Sequence, residues 1–156
     1  MQGGKVCGGW YCSLASGKVR SQGFEATLSG EVLPGLQLVS SYTYNTTQFL
    51  KDDTYEGKIF STWTPKHSVK VWTDYTLPGD FSRFSVGGGF NSQSSTVAYD
   101  RKFDSPGFTI WNARLGYKVS DEVSLAVNYN NIFDKVYYIP SYAAVSANNY
   151  YGDPRN

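Results

Sequence analysis

Two thiols, Cys7 and Cys12, flank Gly8-Gly9-Trp10-Tyr11 near the start of a 156-residue chain. A structural zinc site takes four Cys or His ligands, and the one histidine, His67, lies far along the chain. No metal set is therefore completed. Nucleophilic catalysis needs Ser or Cys beside a base and an acid, and no such constellation surrounds His67. Asp52, Asp53 and Glu56 form an acidic cluster without the D-x-[DN]-x-[DN]-G order of a calcium loop, and read as a solvated loop face. Gly87-Gly88-Gly89 is followed by no helix and no Lys-Ser/Thr, so it is not a phosphate cradle; glycines there relieve crowding or bend a strand. Asn45-Thr46-Thr47 fits a glycosylation sequon. The chemistry left is recognition. Trp10, Tyr11, Tyr55, Trp63, Tyr99, Arg101 and Tyr142 are loop aromatics and a cation that could contact a ligand, against the simpler reading of loop packing. No enzyme and no cofactor is expected.

Composition narrows the class. Fourteen Lys+Arg against 13 Asp+Glu give a net charge of +1, which supplies no field for phosphates and argues against nucleic-acid binding. Aromatic and charged residues each make up 17%, the latter below the usual quarter or so. The longest apolar runs are four residues, as in Val136–Ile139, where a membrane helix needs about 20. No signal-peptide pattern follows Met1.

The elements that must carry these residues are strands. Period-two alternation is nearly continuous. Phe24, Ala26, Leu28, Gly30 and Val32 oppose Glu25, Thr27, Ser29 and Glu31. Leu36, Leu38, Ser40, Tyr42 and Tyr44 oppose Gln37, Val39, Ser41, Thr43 and Asn45. Val69, Val71, Thr73, Tyr75 and Leu77 oppose Ser68, Lys70, Trp72, Asp74 and Thr76. Three further alternating runs start near Phe84, Trp111 and Val123, for six in all. Pro34-Gly35, Pro78-Gly79 and Ser120-Asp121 mark short turns. Longer loops span roughly residues 1–18, 50–65, 98–106 and 140–151. Short turns thus gather at one end and long loops at the other, which is up-and-down antiparallel connectivity.

Strands of about 11 to 15 residues exceed the soluble mode of five or six and suffice to cross a bilayer obliquely. An apolar face, aromatics near strand ends and asymmetric connections together favour a transmembrane barrel wall over a soluble sandwich. Six strands cannot close a membrane barrel, because open edges would leave backbone groups unpaired in hydrocarbon. The fold expected is all-β: an antiparallel, up-and-down segment of a larger transmembrane β-barrel.

Four segments carry a family resemblance. Asn130-Asn131-Ile132-Phe133-Asp134-Lys135-Val136-Tyr137-Tyr138 resembles the NNxFDKxYY signature of TonB-dependent outer-membrane receptors. Tyr151-Gly152-Asp153-Pro154-Arg155-Asn156 is similar to the YGxPRN segment preceding their last strand. Gly17–Glu25 resembles a strand opening of the family, and Thr64-Pro65-Lys66-His67-Ser68 its TPKHS strand. The segments occur in family order across nearly the whole chain, and look most like ferric-coprogen and ferric-pyoverdine receptors.

The resemblance implies a C-terminal piece, about six strands, of a barrel of about 22 strands with a lumenal plug. The plug, its TonB box and the last strand would lie outside this sequence. Residues 1–18 would be an extracellular loop, 19–138 barrel strands, and 139–156 an extracellular loop leading to that strand. The short turns would face the periplasm. Implied partners are a ferric siderophore, outer-membrane lipid and, through the plug, the TonB-ExbB-ExbD system. A surface setting favours a Cys7–Cys12 disulfide over two free thiols, and makes His67 a residue of the membrane-boundary girdle. Aromatic walls with an occasional Arg would suit a bulky, often anionic chelate. The rival reading is a soluble or surface β-module binding glycans on exposed aromatics; a passive porin or adhesin barrel lacks the two C-terminal motifs.

Overall fold

The computed structural model describes residues 17–98, 101, 104–139 and 150–156. Its strands are β1 (Lys18–Leu33), β2 (Leu36–Lys51), β3 (His67–Thr76), β4 (Phe84–Gln93), β5 (Thr96–Val97), β6 (Asp104–Ser105), β7 (Phe108–Lys118), β8 (Ser124–Tyr129), β9 (Tyr138–Ile139) and β10 (Tyr150–Tyr151). The six long strands form one antiparallel sheet in the order β1-β2-β3-β4-β7-β8. The pairs β5–β6 and β9–β10 are small separate ladders within the long-loop end.

Turn chemistry explains the tight connections. Gly35 takes φ 78°, a conformation open to glycine at little cost, and its N–H donates to Glu31 Oε1 at 2.6 Å. Gly79 takes φ 63° and opens a single 3-10 turn, Gly79–Phe81. Between β7 and β8, Ser120 Oγ accepts the N–H groups of Glu122 (3.3 Å) and Val123 (3.1 Å).

Register puts the alternation to use. Phe24 pairs with Tyr44, Tyr44 with His67, Val71 with Phe90, Phe90 with Trp111, and Leu115 with Val127. Each expected apolar set therefore falls on one continuous face. Glu25, Glu31, Lys70, Asp74, Asn91, Asn112 and Arg114 lie on the other. The apolar face is not covered: Leu28 is 65% exposed and Val127 68%. Among the described residues Ala98 is the only buried hydrophobic. A soluble sandwich needs a second layer over such a face; among the described residues this sheet has none, as a barrel wall should. Rings band the face at both ends. Phe84 and Tyr117 meet at 4.7 Å near the short turns, while Phe90 with Trp111 (4.8 Å) and Tyr44 with His67 (5.1 Å) lie toward the long loops.

On the polar face, Gly87 and Gly89 flank the Trp72 indole. A Cβ on Gly89 would run into the Val71 carbonyl and Trp72, and one on Gly87 would come within 2.8 Å of Asp74 Oδ2. The glycines relieve crowding that any side chain would create there. Arg114 Nη1 donates to Asp74 Oδ2 at 3.3 Å across the same face.

The last long strand stops at the C-terminal motif. Strand β8 ends at Tyr129 because Asn131 (φ 49°) and Asp134 (φ 50°) enter the left-handed region, which Asn and Asp tolerate better than most residues. The Asn131 side chain then replaces a ladder. Its Oδ1 accepts the Lys135 N–H (2.8 Å), and its Nδ2 donates to the carbonyls of Lys135 (3.0 Å) and Asp153 (3.1 Å). Asn131 N–H donates to Asn112 Oδ1 at 3.0 Å. The chain from Tyr150 onward docks on this knot: Asp153 N–H donates to Tyr137 Oη and Arg155 N–H to Asp134 Oδ1, each at 3.1 Å. Asn130 and Asn156 exchange backbone hydrogen bonds at 2.7 and 3.3 Å. The two motifs are halves of one clasp.

Candidate functional site at the long-loop end

The ladder continues past β2 into its loop. Phe49 N–H donates to Lys58 O (3.0 Å), Gly57 N–H to Phe49 O (2.9 Å), and Phe60 N–H to Thr47 O (3.3 Å). Asp52 Oδ1 caps the tip by accepting the N–H groups of Thr54 (2.9 Å) and Tyr55 (2.7 Å). This acidic residue thus folds its own loop. The geometry stacks the Tyr55 ring on Phe49 at 5.9 Å and sets Phe60 edge-on to Phe49 at 5.1 Å.

Arg101 joins from the loop after β5. Its φ is 59°, and its N–H donates to Ala98 O at 2.9 Å. The guanidinium carbon lies 4.5 Å from the Tyr55 ring centroid and 6.0 Å from that of Phe49, within cation–π range. Nη2 donates to the Ile59 carbonyl at 2.7 Å, and the buried Nε has no hydrogen-bond partner among the described residues. Lys58 adds a second cation, 5.7 Å from the Tyr55 centroid. A guanidinium stacked on rings carries positive charge with weaker hydration than an ammonium, and so suits a large anionic or electron-rich ligand.

Two of the sequence-stated candidates, Tyr55 and Arg101, are therefore brought together. Trp63 is 45% exposed and makes no ring contact among the described residues. Trp10, Tyr11, Tyr99 and Tyr142, and the pair Cys7 and Cys12, lie outside the described residues. Sequence reasoning missed Phe49 and Phe60. Phe49 falls in register with Asn45 and Thr47 on the polar face, so an aromatic breaking that polar series was the available signal. Beside the cluster, a cavity of about 190 Å³ is lined by Thr47, Ser61, Thr62, Thr64, Lys66 and Thr96. It is below the roughly 300 Å³ at which ligand pockets begin and fits water or a single small group. Among the described residues no three or more of His, Cys, Asp and Glu gather as metal ligands.

The family model for the β-barrel of TonB dependent receptor-like proteins matches residues 2–132. This chain belongs to that family. It is 44% identical over 152 residues to the ferric-pyoverdine M114 receptor of Pseudomonas sp. (strain M114), covering 93% of this chain and 18% of the relative. It is 35% identical over 149 residues to the ferripyoverdine receptor of Pseudomonas aeruginosa (strain PAO1), covering 89% and 17%. The crystal structure of the P. aeruginosa ferripyoverdine receptor bound to ferripyoverdine superposes with a TM-score of 0.73 at 31% identity, over 89% of this chain and 19% of that one. The chain thus spans less than a fifth of the length of these relatives. As a segment of this barrel family it belongs to the bacterial outer membrane, with the uncovered apolar face toward lipid and the polar face toward the lumen. The relatives are by name receptors rather than enzymes.

Proposed function

We propose that this chain is a wall segment of a receptor that carries a ferric siderophore, of the pyoverdine class, across the outer membrane. The observation that carries the reading is the cluster of Phe49, Tyr55, Phe60 and Arg101, on a wall whose relatives are named for ferric pyoverdine. A ferric pyoverdine-type chelate is bulky, polar and anionic, and a stacked guanidinium on two rings complements it. Loop residues Trp10, Tyr11, Trp63, Tyr99 and Tyr142 complete the outer surface in this reading, with a Cys7–Cys12 disulfide stiffening the first loop. Residues 1–18 and 139–156 act as extracellular loops and 19–138 as the wall. In this reading release into the periplasm is driven by a plug pulled through TonB-ExbB-ExbD.

The test is iron uptake by iron-starved cells that lack their own receptors and produce the full receptor carrying this segment. Uptake of labelled iron with a ferric pyoverdine, abolished when TonB is removed, is the expected result. Uptake that never exceeds the receptor-free background with any siderophore overturns the reading. So does recovery of the chain as a soluble glycan-binding protein.

A further inference from the structure

We infer that the lumenal face of the wall carries a second docking station for an anionic, amide- or hydroxyl-rich iron chelate, formed by Lys70, Trp72, Asn91 and Asn112 and lying inward of the Arg101 cluster. The inference rests on the reading of this segment as part of a siderophore receptor. It starts from register. Ser41, Lys70 and Asn91 fall in one row across β2, β3 and β4. Val39, Trp72, Gly89 and Asn112 make the next row toward the short turns. Both rows lie on the polar face, which they share with Phe49 of the outer cluster. From Phe49 to Ser41 is eight residues along β2, or about 26 Å at about 3.3 Å per residue. Val39, 50% exposed, is an apolar break in a polar series, as Phe49 is.

The four side chains line one shallow depression of about 270 Å³, together with Val39 and Ser41. Lys70 supplies the charge. Among the described residues its ammonium forms no ion pair. The nearest lumenal carboxylates in register are Asp74, already paired with Arg114, and Glu25, two strands away on β1. Asn112 Oδ1 accepts the Asn131 N–H, which leaves Nδ2 to donate. The exposed Asn91 amide is uncommitted among the described residues. The Trp72 indole lies across β4, against the positions of Gly87 and Gly89, and so turns a ring face to the lumen. An ammonium, two amides and an indole face together suit anionic oxygens, amide or hydroxyl arms and flat apolar surface on one ligand. The depression is slightly smaller than a closed ligand pocket. It grips one side of a chelate, which suits a ligand that must leave again.

The test uses iron-starved cells producing the full receptor that carries this segment, with an iron-labelled ferric pyoverdine as the probe. Two quantities are read: equilibrium binding in cells without TonB, and the uptake rate in energised cells that have it. Lys70→Gln should leave equilibrium binding within about twofold, because the outer cluster is intact, and slow uptake about fivefold. Asn91→Asp, which gives Lys70 a partner within the wall, should slow uptake as much. Lys70→Arg keeps the charge and should keep most of the rate. Uptake unchanged in both Lys70→Gln and Asn91→Asp overturns the inference. A fall in equilibrium binding equal to the fall in uptake also overturns it, by placing Lys70 in the outer site. So does a lowered urea midpoint, or entry of a bulky glycopeptide antibiotic into the variant cells, since either assigns Lys70 to holding the receptor together. The unaltered receptor separates the two readings. If it takes up no ferric pyoverdine with TonB present, the receptor reading has failed and the station with it; if it does, the Lys70 contrast bears on the station alone.

Discussion

The clasp around Asn131 and the cluster around Arg101 sit at the same end of the wall, yet they are built in opposite ways. The clasp is made of amide, hydroxyl and carboxylate side chains, and their partners are backbone groups held between 2.8 and 3.1 Å. The cluster is made of rings and cations that face one another at 4.5 to 6.0 Å, with one buried guanidinium nitrogen unpartnered among the described residues. Hydrogen bonds to backbone fix the path of the chain and leave nothing to offer a ligand. Stacked faces tolerate small shifts and keep surface in reserve. The segment most recognisable in the sequence is thus the one with an architectural role.

That contrast can be broken by substitution. The largest effect is expected for Asn131→Ala, which removes three side-chain hydrogen bonds and forces Ala into a left-handed position. It should cost about 3 kcal/mol, read as a lower urea midpoint for the folded, heat-modifiable form of the full receptor. Asn131→Gly restores the backbone freedom but not the bonds, and should fall between. Both should leave siderophore affinity of the folded fraction within about twofold.

Arg101→Ala should do the reverse: about tenfold weaker binding of a ferric pyoverdine, roughly 1.4 kcal/mol, with the urea midpoint nearly unchanged. Arg101→Lys keeps the charge but loses the planar stack, and should recover only part of the affinity. If Arg101→Ala unfolds the wall while affinity holds, the two regions have been assigned the wrong way round.

A third substitution, Asp74→Asn, touches neither region. Its pair with Arg114 is partly exposed, with side-chain exposures of 26% and 40%, so its loss should cost no more than about 1 kcal/mol and leave siderophore binding intact.

The smallest effect concerns pH. A hydrogen bond from Lys118, at 2.7 Å, and its charge hold the Asp121 carboxyl below the usual carboxylate range. A depressed folded pKa stabilises above the unfolded value and is lost as pH falls through the folded one. Lys118→Ala should therefore flatten a slight acid sensitivity of this turn, seen by NMR titration of Asp121, without altering clasp or cluster.

The wall itself was legible because a face in lipid and a face in a lumen impose period two on every strand, as from Phe24 to Val32 and Val69 to Tyr75. Glycine and proline at 34–35 and 78–79 punctuated it. Strand β2 runs longer than expected because its loop folds back beside it and hydrogen-bonds to Thr47 and Phe49. The end of β8 was legible to within a residue, because Asn131 falls where the alternation calls for an apolar side chain; its backbone angle and three-way hydrogen bonding, which stop the strand, were not. The meeting of Tyr55 with Arg101 was invisible for another reason. It depends on two loops folding toward each other, and no short-range pattern encodes that.

Gly87 and Gly89 add a consequence for whatever passes along the lumenal face. They let the Trp72 indole recline in a recess instead of standing out from the wall. A side chain at Gly89 would strike the β3 backbone and the indole, and one at Gly87 the Asp74 carboxylate and the indole edge, so either would push the strands or the ring out of place. Two absent methyl groups thus keep the polar face of the wall low where β3 meets β4.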